Sequence, residues 1–146
     1  MSIASIGFAG LCLPVGSQKL DVSMRIPFHG SYETFADATI FGIDGLGGKY
    51  SRDKRLRACG AGVSAVVPTD GQGYVVKAGV QSGVRGNQTV PRAELTAACI
   101  VLEIARQPRI EIIVDASYVL WGLKAGKTRT LASPSCDLWA RFWAAL

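Results

Sequence analysis

The stretch PRAELTAACIVLEIARQPRIEIIVD, residues 91–115, decides the fold. Pro91 suits the first turn of a helix, where its missing N–H costs nothing. Leu95, Ala98, Cys99, Val101, Leu102 and Ala105 then recur at helical spacing and give a broad apolar face. Pro108 ends that helix, and residues 110–114 have the composition of a strand buried on both faces. A helix feeding such a strand is half of a parallel crossover and requires an earlier strand beside it. Residues 39–44 supply one, because that apolar run closes on Asp44 much as residues 110–114 close on Asp115.

Working outward, residues 60–67 and 73–80 read as two further strands joined by PTDGQG at 68–73, which makes an antiparallel meander with the first. Residues 117–124 form a short helix with Tyr118, Leu120, Trp121 and Leu123. Ser133 and Ser135 are N-cap candidates for a last helix carrying Leu138, Trp139, Phe142, Trp143 and Leu146 on one side. The tryptophans at helical spacing are assigned to the core rather than to base stacking. Residues 1–37 hold glycines and prolines with no sustained period, so no element is assigned there. The expectation is an unassigned segment over 1–37 and an α/β domain over 38–146. Its mixed sheet is an antiparallel meander plus a fourth strand parallel to the first, flanked by helices.

A hydrophobic content of 49% with 18% charged residues suits one buried core and excludes a disordered chain. The net charge is +5, and residues 49–57 concentrate five basic side chains against one Asp. A polyanion fits that loop as a partner; a solvated surface loop fits it equally. Cys12, Cys59, Cys99 and Cys136 are widely spaced with no Cys-x-x-Cys pair, which argues against a zinc site or disulfide framework and for a reducing compartment. The apolar residues 3–15 lack a basic flank and fall short of the ~20 residues of a membrane span. An intracellular protein of cytoplasm or nucleus is expected, with no membrane partner.

Three carboxylates carry the chemistry: Asp44 and Asp115 closing the two parallel strands, and Glu94 near the start of the intervening helix. A carboxylate at the end of a buried strand is costly unless something cationic meets it, and a divalent metal is the natural partner for several together. Singly, each has an ordinary explanation: an Asp-Gly turn for Asp44, the helix dipole for Glu94, an N-cap for Asp115. Asp137 is explained by the dipole of the last helix and is not assigned to the site. The glycine-rich residues 60–65 match a dinucleotide fingerprint only superficially, since they read as strand and Pro68 follows. His29 is the single histidine and lies outside the domain, which excludes a Ser-His-Asp triad within it.

The order Ile43-Asp44-Gly45, Gly60-Ala61-Gly62-Val63, Arg92-Ala93-Glu94-Leu95, Val114-Asp115-Ala116-Ser117-Tyr118 and Asp137-Leu138-Trp139 resembles type 1 ribonuclease H. The resemblance implies a ribonuclease H-like fold and endonucleolytic hydrolysis of the RNA strand of RNA/DNA hybrids. It makes Asp44, Glu94 and Asp115 both catalytic residues and ligands of Mg2+ or Mn2+, two ions in all, one activating water and the other stabilising the leaving 3'-oxygen. Substrate contacts fall to Gly45 and to Lys49, Arg52, Lys54, Arg55 and Arg57 of the basic loop. Leu46 and Ala116 stand where the family has small polar residues. The family continues into a further strand, a His-bearing loop and a helix with a fourth Asp, so the chain reads as a domain whose final strand and helix are missing. The edge of residues 110–114 is then expected to be open. The alternatives are a catalytically impaired nucleic-acid binding module, or a fragment of a reverse-transcribing element polyprotein with a neighbouring reverse transcriptase domain.

Overall fold

In the computed structural model, the described residues are 2–5, 9–13, 28–46, 59–114 and 117–146. The central meander consists of β4 (Ile40–Leu46), β5 (Gly60–Pro68) and β6 (Tyr74–Gly83). Along β4 burial alternates, with Phe41, Ile43 and Gly45 turned to the core and the residues between them to the other face. The crossover helix α2 (Val90–Ile104) starts one residue before Pro91, and the side chain of its N-cap Thr89 accepts from the Arg92 N–H at 3.4 Å. Glu94 therefore lies beyond the first turn, which holds no acidic residue. Strand β7 (Ile110–Val114) runs parallel to β4, with Ile43 opposite Val114. β4–β5 and β5–β6 are antiparallel, so the expected mixed sheet with one parallel pair, flanked by helices, is present.

The first 37 residues contain elements that the sequence did not reveal. Two strands, β1 (Ser2–Ser5) and β2 (Ala9–Leu13), form a hairpin. β2 then pairs antiparallel with the whole of β7, Ala9 opposite Val114 and Leu13 opposite Ile110. The edge of residues 110–114 is thus covered, contrary to expectation, because the backbone groups of β7 find partners upstream in the chain. A two-residue strand, β3 (Phe28–His29), adds to β6, and a short helix, α1 (Tyr32–Ala36), places Phe35 in the core against Phe41. The strand order is β1-β2-β7-β4-β5-β6-β3.

Helices α1, α2, α3 (Tyr118–Ala125) and α5 (Cys136–Ala145) bury their apolar sides in one cluster with Phe41, Ile43, Val63, Val80 and Ile112 of the sheet. Trp139 and Phe142 are fully buried there. A β-carbon on Gly122 of α3 would lie 1.9 Å from Cη2 of Trp139, so α3 reaches the core only because that position has no side chain. Between α3 and α5 a further short helix, α4 (Lys127–Leu131), follows a turn at Gly126, whose φ of +91° favours glycine. Its buried Thr130 accepts from the Trp143 indole N–H at 2.8 Å. No helix among the described residues is long and apolar enough to cross a membrane.

Candidate metal centre

At Gly45 the sheet and α2 approach closely. A β-carbon there would stand 2.8 Å from the Val90 carbonyl oxygen, 2.9 Å from Cγ of Glu94 and 3.0 Å from Cβ of Ala93. Glu94, 5% exposed, therefore lies directly against the strand at the residue that follows Asp44. Asp44 is exposed and leaves the strand on the opposite face, lining an open hollow of about 440 Å³ with Gly42, Leu46, Gly62, Ser64 and Ile113. Glu94 thus meets β4 on the face that α2 covers, and Asp44 leaves it on the other, with the backbone of Gly45 between them. Carboxylate oxygens are the donors that a hard divalent cation takes. The depth of Glu94 also removes the helix-dipole explanation, since that effect fades beyond the first turn.

Asp115 lies outside the described residues. Its neighbour Val114 is buried at the end of β7 opposite Ile43, so the residues that come next in the two parallel strands' chains are Asp115 and Asp44. Among the described residues no group of three or more His, Cys, Asp or Glu side chains is close enough to hold an ion. Lys49, Arg52, Lys54, Arg55 and Arg57 also fall outside them, in the connection that leaves β4 two residues beyond Asp44 and returns at Cys59. Gln88 anchors that return: its side chain accepts from the Cys59 N–H at 2.7 Å and donates to the Val84 and Gly86 carbonyls.

Sequence reasoning missed the pairing that holds the start of α2. Arg92, 6% exposed, donates to both carboxylate oxygens of Asp137 at 2.8 and 2.9 Å and to the Arg85 carbonyl at 2.6 Å. Its Nε is buried with no hydrogen-bond partner among the described residues. Asp137 does occupy the first turn of α5, as its dipole assignment required, but it also ties α5 to α2 two residues before Glu94. The hydrogen bonds from Arg92 hold the Asp137 carboxyl below the usual carboxylate range, and Asp137 in turn raises Arg92. An Arg in a helix N-terminal turn was the available signal, because a guanidinium there opposes the dipole and, where it is buried, must be met by an acid. Trp121 was also misassigned: it is 39% exposed, whereas Trp139 is buried.

No family model, curated protein or solved structure matches this chain.

Proposed function

We propose that the chain is a ribonuclease H-type, metal-dependent endonuclease acting on the RNA strand of RNA/DNA hybrids. The observation that supports this reading best is the seat of Glu94 against Gly45, beside Asp44, at the end of a strand parallel to the one that Asp115 follows. Asp44, Glu94 and Asp115 would hold Mg2+ or Mn2+, which when bound supplies water activation and stabilisation of the leaving 3'-oxygen. Gly45 admits Glu94 to the strand, and the Arg92–Asp137 pair fixes the turn of α2 from which Glu94 projects. The basic loop would grip phosphates without reading bases, and 2'-hydroxyls with A-form-like shape would mark the RNA strand.

The test is cleavage of an end-labelled RNA/DNA hybrid by the purified chain in Mg2+ or Mn2+, with Asp44→Asn as the control. The expected products carry 5'-phosphate and 3'-hydroxyl ends, appear with neither RNA nor DNA duplexes, and vanish in the control. Titration calorimetry with Mn2+ adds an independent reading, in which Asp115→Asn binds more weakly because one charged ligand is gone. Absence of cleavage together with unchanged Mn2+ affinity in Asp115→Asn sinks the proposal.

A further inference from the structure

Helix α3 presents one stripe to solvent. Trp121 and Lys124 are exposed, Tyr118 one turn earlier is half-buried with its hydroxyl accepting from the Trp139 indole N–H at 3.3 Å, and the opposite side, with Val119 and Gly122, is buried. The turn at Gly126 sends α4 back alongside, and Arg129 comes to rest over the Trp121 ring at 6.0 Å while Tyr118 lies nearly parallel to that ring at 5.7 Å. Lys124, Lys127 and Arg129 are all exposed, and residues 117–136 contain no carboxylate at all. α4 is held in this position by Thr130, which is fully buried and donates to the Gly126 carbonyl at 2.9 Å. Trp121 stays 39% exposed although Tyr118 and Arg129 lie on its ring, and among the described residues none of the three cations pairs with a carboxylate.

We infer that the α3–α4 surface is a binding site for single-stranded nucleic acid, in which Trp121 stacks on an unpaired base and Lys124, Lys127 and Arg129 contact the flanking phosphates. The cations match the sign and spacing of a phosphodiester backbone. The indole selects an unpaired strand, because bases within a duplex are already stacked on each other while every unpaired base offers a free face. Arg129 suits both tasks, lying on the ring while keeping N–H donors for phosphate. The inference rests on the polynucleotide part of the proposed function and not on its metal chemistry.

Fluorescence anisotropy of labelled oligo(dT) and oligo(U), with EDTA present so that no ion contributes, tests it on the full chain. Trp121→Ala is expected to weaken both by roughly tenfold, the worth of one base stack, and Trp121→Phe to recover most of it. Replacing Lys124, Lys127 and Arg129 together by Gln should lower the log-log salt slope by about 2. A difference between the oligo(dT) and oligo(U) affinities identifies which strand the surface prefers. Unchanged affinity in Trp121→Ala with its fold intact by circular dichroism overturns the inference, as does equal retention of anionic phospholipid vesicles by the parent chain. Abolished hybrid cleavage in Asp44→Asn with oligonucleotide binding unchanged leaves the surface standing, whereas a parent chain that cleaves the hybrid but binds neither oligonucleotide counts against the surface alone.

Discussion

Three glycines show how much a single side chain decides here. At Gly45 an added methyl meets the Val90 carbonyl oxygen at 2.8 Å and Glu94 at 2.9 Å, so Gly45→Ala must push the start of α2 off the sheet. A destabilisation of about 1–3 kcal/mol in urea unfolding is expected, accompanied by weaker Mn2+ binding because Glu94 moves with the helix. Gly122→Ala drives a methyl into the Trp139 ring at 1.9 Å and should cost at least as much, with Mn2+ affinity unchanged. Gly42→Ala meets no described atom within 4 Å and should be close to neutral, which makes it the control for both. If all three behave alike, α2 and α3 do not approach the sheet and Trp139 as closely as these distances require. That Gly45 was a helix contact could not be read from Asp-Gly alone, since a turn needs the same two residues.

At the scale of elements, α2 is held at its start by Arg92–Asp137 and along its length by the Arg141–Glu103 pair and by Cys99, whose thiol lies 3.5 Å from the Leu138 carbonyl. Burial pushes the Cys99 thiol up to about 12, so it stays neutral and acts as a small apolar group. The Asp137 carboxyl titrates below its usual range, so its pair adds stability that is complete above the unfolded-state value and fades as pH falls through the lower folded-state value. Asp137→Asn should therefore be less stable than the parent at neutral pH and converge with it in acid. Because the Asp137 side chain is 62% exposed, about 1 kcal/mol is the expected difference after solvent screening. Urea melts of parent and variant from neutral to acid pH check this, and a gap that does not narrow in acid would assign the effect to something other than the charge.

For the whole molecule, the N-terminal hairpin is the part with the largest consequence. β2 closes the edge of β7, so a chain lacking residues 1–13 should expose five residues of unpaired strand. A lower melting temperature and concentration-dependent association in analytical ultracentrifugation are expected; an unaltered monomer with an unaltered melting temperature would mean that β2 contributes no edge protection. Replacing Arg52, Lys54, Arg55 and Arg57 by neutral residues should weaken hybrid binding and flatten its salt dependence, by up to about 0.9 in log-log slope for each phosphate that the loop no longer neutralises. Identical slopes would reduce the loop to solvated surface.

The sequence by itself determined the elements whose signals are local: the 3.6-residue period that made α2, the apolar runs that became β4 and β7, and the turn residues that separate β5 from β6. It also determined the parallel pair, because a helix between two buried strands permits little else. Only the tertiary structure decided what depends on partners distant in the chain. Ala9–Leu13 carries no alternation of its own and is a strand because β7 supplies its hydrogen bonds. Arg92 is buried because Asp137, 45 residues later, meets it, and Trp121 is exposed because Gly122 rather than the indole faces Trp139. Asp44 and Glu94 were legible as residue types in order, but the seat of Glu94 against Gly45 comes from the packing of α2 on β4, which no spacing along the chain encodes.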